Sequence, residues 1–168
     1  VGVNSIVQAK EIVRDIDLTL QSRQLRLNSN KTRIMDQKTA FDYFCISENE
    51  FLARADDLIE KLKGFPKGLK LVNRILSSRY ETWLKRSPQG GPGKDSVFFK
   101  PSGSKIHKYM LRLIYESGGS VSNEDLLWLI NNDPGMRSTA FLYLARSKQP
   151  NQALEKAYRI LKSGRFVD

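Results

Sequence analysis

One spacing restricts this chain more than any other feature in it. Apolar residues recur at steps of three and four in seven windows, the pattern of helices that bury one face. The first is 5–20, with Ile6, Ala9, Val13, Ile16 and Leu20 in register and Ser5 placed to cap its start. Ser47 followed by Glu50 is a capping-box pattern opening a second helix over 48–63, which Gly64 and Pro66 end. The window at 68–86 carries Leu69, Val72, Leu76, Tyr80 and Trp83, and the window at 104–117 carries Ile106, Met110, Leu113 and Ile114. After the turn Gly118-Gly119-Ser120, three short helices are predicted at about 122–132, 133–146 and 151–163. Their short connections make them antiparallel neighbours. The expected fold class is mainly α.

Three stretches depart from this spacing. Leu25-Arg26-Leu27 and Thr32-Arg33-Ile34 alternate as strands do, on either side of an Asn28-Ser29-Asn30 turn. They predict a β-hairpin and give the amino-terminal end an α+β character. Over 36–47, Phe41, Tyr43 and Cys45 alternate with Asp42, Phe44 and Ile46, which suits a short strand. Ser87-Pro88-Gln89-Gly90-Gly91-Pro92-Gly93-Lys94 reads as a flexible connection over 87–104: a linker, a surface loop or an arm that orders on nucleic acid. It is not a nucleotide-binding loop, because Asp95 follows Lys94 where that motif requires Ser or Thr.

At 168 residues and 40% hydrophobic content, the chain suits one domain or two small ones. It holds no apolar run long enough to span a membrane and no secretory leader pattern, so the cytoplasm is the expected compartment. One cysteine, Cys45, and one histidine, His107, exclude an internal disulfide and make a Cys/His zinc site improbable. His107 is given no chemistry. The formal charge is +10, and its distribution matters more than its size. Residues 61–115 carry thirteen basic and two acidic side chains, while 48–60 are net −4. The acidic residues Glu48, Glu50, Asp56, Asp57 and Glu60 fall on the outer face of the predicted 48–63 helix. Within the basic third, Lys67, Lys70 and Arg74 form one line at helical spacing, and Lys105, Lys108 and Arg112 form another. Two such helices would wall a groove for a phosphate backbone, so nucleic acid is the expected partner. The alternative is a solvated face that aids solubility.

The run Leu25-x-Leu27-Asn28-x-x-Lys31-Thr32-x-Ile34, with a helix before it, resembles one piece of the bacterial reverse transcriptases: retron, group II intron and phage-defence types. There the palm helix that follows the catalytic Tyr-x-Asp-Asp hairpin leads into Leu-x-Leu-Asn-x-x-Lys-Thr-x-Ile. The resemblance implies that 1–47 is the end of a polymerase palm. It makes 48–117 a thumb-like basic region with its loop at 87–104, and 118–168 a helical-hairpin extension. It implies that Lys31 meets the phosphates of an incoming nucleotide, where an ammonium stabilises the leaving pyrophosphate. It also implies a primer grip near Phe41, Tyr43 and Phe44, although three aromatics so close together more often belong to a core.

A polymerase needs paired carboxylates to hold its metal ions, Mg2+ in the complete enzyme. Asp56-Asp57 and Asp15/Asp17 sit in amphipathic helices rather than in such a hairpin. The catalytic aspartates are therefore expected upstream of Val1, and this chain alone is not expected to be an active enzyme. Its expected partners are a nucleic-acid duplex and the upstream palm and fingers of the same polymerase. Two other functions fit the same residues: a stand-alone basic helical module that binds nucleic acid, or a scaffold of helical pairs for an acidic protein.

Overall fold

The computed structural model describes residues 2–88, 91–147 and 150–163. It is mainly helical, with eight α-helices and no strand among the described residues. The chain divides into two compact units, one up to Ala40 and one from Phe41 onward.

The first unit is built on helix α1 (Ile6–Gln21). Ser5 caps it as the sequence predicts, its Oγ accepting from the Gln8 N–H at 3.1 Å. The hairpin expected at 25–35 is not formed. The Asn28 carbonyl accepts from the N–H groups of Lys31 and Thr32, at 2.9 and 3.0 Å, and from the Thr32 hydroxyl at 3.0 Å. The Asn28 side chain accepts from the Asn30 N–H at 3.1 Å. This local turn occupies the chain where a strand ladder would have to start, and the flanking residues run irregularly instead. Two short strands alone gain too little to hold together in water. The Leu27 N–H instead bonds the Asp17 carboxylate of α1 at 3.3 Å.

The strand suggested at 36–47 is likewise replaced by a helix, α2 (Gln37–Tyr43). Asp36 decides this: its Oδ1 accepts from the Thr39 N–H at 2.6 Å, a side-chain cap that outweighs two-residue alternation. The same bond holds the Asp36 carboxyl below the usual carboxylate range.

The second unit continues with α3 (Ile46–Lys61), α4 (Pro66–Leu84), α5 (Gly103–Glu116), α6 (Asn123–Asn132), α7 (Arg137–Leu144) and α8 (Pro150–Lys162). Helix α3 starts earlier than the Ser47 pattern predicts. Cys45 is fully buried and takes a left-handed backbone (φ 49°) at the cap position, and Asn49 binds the Phe44 and Cys45 carbonyls. Ser47 therefore lies inside the helix, and its hydroxyl donates to Glu48. Glu48 is not on the acidic outer face. It is buried, and Lys100 reaches it at 3.3 Å. Burial pushes its pKa up, but hydrogen bonds from its own backbone, Ser47 and Lys100 outweigh that and hold it below the usual range.

Helix α5 is the centre of this unit. It packs on α3, on α4 and on the short 3-10 turn Val97–Phe99. Ile106, Met110, Leu113 and Ile114 are buried as their spacing predicts, and Leu111 and His107 are buried as well. What stays exposed is a narrow strip through Lys105, Lys108 and Arg112. Beyond it, α6, α7 and α8 pack on one another. The helix expected over 133–146 is divided into a 3-10 turn, Pro134–Met136, and α7. Helices α4 and α5 run antiparallel, since Asn73 binds the Ile114 carbonyl and the Ser117 hydroxyl (3.1 and 3.0 Å) while Tyr80 lies 3.3 Å from His107. A Cβ on Gly119 would stand 1.8 Å from the Asn73 amide nitrogen, so glycine is required there for the clamp to close.

The glycine-rich connection is packed over 91–104, not open. Gly91, Pro92 and Gly93 are buried, and the Gly93 N–H bonds the Leu84 carbonyl at 2.9 Å. Ser96 ties the segment to the Trp83 carbonyl at 2.7 Å, and Val97 and Phe98 enter the core. Here glycine permits close approach rather than freedom: a Cβ on Gly93 would stand 1.9 Å from the Lys85 carbonyl oxygen. Gly93→Ala is therefore expected to cost about 1–3 kcal/mol through forced displacement of backbone. Thermal unfolding measures it, and an unchanged midpoint would mean that the segment lifts off freely.

Candidate nucleic-acid interface

Helix α4 opens with Phe65 at its cap position and Pro66 in its first turn, where a missing N–H costs nothing. Its buried side carries Val72, Leu76, Tyr80, Trp83 and Leu84. The helical period then forces the intervening residues outward. Lys67, Lys70 and Arg74 are exposed and together line a shallow groove of about 580 Å3 with Leu71, Asn73 and Ser77. Arg74 also lines a second groove, of about 540 Å3, with Ile75, Ser78, Arg79 and Thr82. Among the described residues, no carboxylate stands within ion-pair distance of Lys67, Lys70 or Arg74. Their charges face water, where a phosphate can reach them.

The second predicted line behaves differently. Lys105 and Lys108 are exposed, but Arg112 is committed to α3. Its Nη2 lies 2.6 Å from Asp56 Oδ2, and its guanidinium stacks 4.9 Å from the Tyr109 ring centre. The Tyr109 hydroxyl donates to the same Asp56 oxygen at 2.8 Å. Asp56 thus leaves the acidic outer face that its position in the sequence suggests. The antiparallel register sets Lys67 and Lys105 at opposite ends of the helix pair. All six residues lining the first groove belong to α4, so the structure gathers one line of cations there and leaves Lys105 and Lys108 outside it.

The resemblance-based candidates lie elsewhere. Lys31 is exposed in the Asn28 turn of the first unit. In that unit a groove of about 550 Å3 is lined by Lys10, Val13, Arg14, Asp17, Leu27, Ser29, Thr32 and Ile34. Phe41 and Phe44 are exposed at the end of α2, and Tyr43 is half-buried with its ring edge-on to Phe44 at 5.1 Å. No group of three or more His, Cys, Asp or Glu side chains among the described residues is arranged to hold a metal ion.

Sequence reasoning missed three parts of the α4 surface. Leu71 and Ile75 are half-exposed between the cations, at 49% and 50%. Arg79 is fixed by stacking 5.0 Å over Phe51. Phe65 projects from the start of the helix. The signal for Phe65 was available in the run Lys63-Gly64-Phe65-Pro66-Lys67, an aromatic held between a glycine and a proline among lysines. His107 is the reverse case: 2% exposed, stacked on Phe98 at 3.9 Å, its pKa pushed down to about 4 by burial. It is neutral core rather than part of the basic surface. No helix among the described residues is long and apolar enough to cross a membrane. Comparison of the chain with protein-family models, with curated proteins and with solved structures finds no match.

Proposed function

We propose that this chain grips a nucleic-acid duplex by its phosphates through α4, as the palm end, thumb and helical extension of a reverse transcriptase whose catalytic aspartates lie upstream. The observation that carries the binding part is the row Lys67, Lys70 and Arg74: three exposed cations in one groove, none of them within ion-pair distance of a carboxylate among the described residues. At 1.5 Å rise per residue the row spans about 10 Å, roughly the axial advance of three nucleotides in one strand. Contacts of this kind hold backbone and read no sequence, which suits a thumb that must let the duplex slide.

The link to a reverse transcriptase is carried by Leu25, Leu27, Asn28, Lys31, Thr32 and Ile34 as residues, not by their conformation, which lacks the paired strands. In this reading Lys31 faces the nucleotide phosphates, Phe41, Tyr43 and Phe44 hold the primer end, and Lys105 and Lys108 add charge along α5. Arg112 contributes only where Asp56 releases it. The chain itself carries no nucleotidyl transfer.

Binding of a labelled RNA–DNA duplex across a salt series tests the proposal. Three phosphate contacts predict a slope of log affinity against log salt of about −2 to −3. Lys70→Glu/Arg74→Glu is expected to weaken binding more than tenfold at low salt and to flatten the slope by about two. Lys105→Glu/Lys108→Glu should have the smaller effect. No binding of the duplex even at low salt would remove nucleic acid as the partner and favour a scaffold for an acidic protein.

A further inference from the structure

Three aliphatic side chains of the second unit, each about half exposed, share one seam: Leu58 on α3, and Leu71 and Ile75 on α4. Contacts between the two helices fix their register. A Cβ on Gly68 would stand 2.9 Å from Leu62, and at the other end of the pair the Phe51 ring lies edge-on to Trp83 at 5.6 Å. The helices are therefore antiparallel, and Leu58 comes level with the turn of α4 that carries Leu71 and Ile75. Leu58 stands seven residues after Phe51 and four before Leu62, so it shares their stripe on α3. Leu71 and Ile75 stand three and seven residues after Gly68 and share its stripe on α4. Asn73 and Tyr80 reach α5 from the other side of α4, so the seam opens away from α5.

Arg79 stands at one end of this seam. Its guanidinium is held 5.0 Å over Phe51 and 6.0 Å from the Trp83 ring centre, and no carboxylate among the described residues lies within ion-pair distance of it. Stacking orders this side chain and leaves its N–H fork unanswered. Arg74, equally unanswered, lines a shallow groove with Arg79 and Ile75. We infer that the seam docks an amphipathic helix of a partner protein, with carboxylates flanking its apolar stripe. Two antiparallel helices leave a groove that a third helix fills, its anchors recurring every three or four residues. Leu71 and Ile75 are one such step apart, about 6 Å along the axis. Carboxylates beside the anchors meet the two arginines, Arg79 as a fork already in place. A phosphate backbone would use the arginines but leave three aliphatics uncovered. A second copy of this seam would set unpaired arginines against their own kind, which repel. The surface goes beyond the phosphate-binding row, with which it shares Arg74 alone of the three cations.

Fluorescence anisotropy of the full chain tests this, with a labelled designed helical peptide carrying leucines at i, i+4 and i+7 and glutamates on either side of them. A Kd of about 10–100 μM is expected. Peptides with lysine in place of the glutamates, or serine in place of the leucines, should each bind at least about tenfold more weakly. Leu71→Ser/Ile75→Ser, and separately Arg79→Glu, should each weaken the glutamate peptide about tenfold while keeping the wild-type circular dichroism. Lys70→Glu, on the α5 side of α4, should weaken the RNA–DNA duplex and leave the peptide within about twofold. No saturable binding of the glutamate peptide, or binding that survives Leu71→Ser/Ile75→Ser, overturns the docking seam. Equal binding of the lysine peptide overturns the acidic partner. Dimerisation in analytical ultracentrifugation that Leu71→Ser/Ile75→Ser abolishes overturns it in favour of a second copy. Loss of duplex binding in that variant, with the peptide unaffected, overturns it in favour of nucleic acid.

Discussion

Arg86→Ala is expected to destabilise the second unit by about 3 kcal/mol or more. Arg86 follows α4 and forks between two carboxylates. Its Nε and Nη2 bind Glu81 at 2.8 Å each, and its Nη1 and Nη2 bind Asp125 on α6, the latter at 3.0 Å. Both acceptors hold the guanidinium firmly in its charged form and raise its pKa. Glu81 is half-exposed and contributes little by itself. Asp125 is 2% exposed, and its charge has been taken out of water on the condition that Arg86 meets it. Removing the arginine leaves a buried carboxylate without its cation, which costs far more than the pair gains when intact. The check is urea unfolding of Arg86→Ala, Asp125→Leu and Arg86→Met/Asp125→Leu. The double variant should recover most of the loss, because no charge is then stranded. If Arg86→Ala unfolds with the wild-type midpoint, water reaches Asp125 and the contact between the end of α4 and α6 is not a stability determinant.

The second large effect is on acid stability. Burial pushes the His107 imidazole down to about 4, against an unfolded value near 6.5. Between these pH values the unfolded chain binds more protons than the folded one, so stability falls as pH falls. The loss begins below about pH 6.5 and reaches about 3 kcal/mol by pH 4. The surroundings explain why the ring resists its proton: Phe98 stacks on one face, Tyr80 stands beside it, and Asp125 offers only a partial counter-effect. The hydrogen-bonded carboxylates, Glu48 and Asp36, are held below their usual range and lose their contribution only at lower pH. The limb between pH 6.5 and 4.5 thus belongs mainly to His107. His107→Phe keeps an aromatic against Phe98 and should flatten that limb in unfolding midpoints measured across pH. A limb unchanged in this variant would assign the acid sensitivity to another group.

These two contacts show where the sequence could be read and where it could not. The long helices were legible because a 3.6-residue period over three or more turns has no strand equivalent; α1, α3, α4 and α5 fall within two residues of their predicted limits. The hairpin was not, because three residues of alternation on each side of a turn carry almost no periodic information. There Asn28 and Asp36 decided the outcome through single side-chain and carbonyl bonds. At the candidate site the exposure of Lys67, Lys70 and Arg74 followed from helical spacing alone. The pairing of Arg112 did not, since Asp56 is 56 residues away in the chain and nothing local announces it. Composition alone likewise suggested a loose connection at 87–104, because the close backbone approach that glycine permits at Gly93 needs Lys85 in place before it can be seen.

The Asn73 clamp has a consequence for how this chain can change over time. The amide of Asn73 fills the space that a side chain at position 119 would take, and it holds the end of α5 through the Ile114 carbonyl. The two sites are therefore one unit of variation. A larger residue at 119 is tolerated only with a smaller one at 73, and such a swap gives up the bond that keeps α4 in step with α5. Homologous sequences that preserve the cation row should keep asparagine and glycine together, or replace them together. The cations themselves are free to exchange lysine for arginine one at a time.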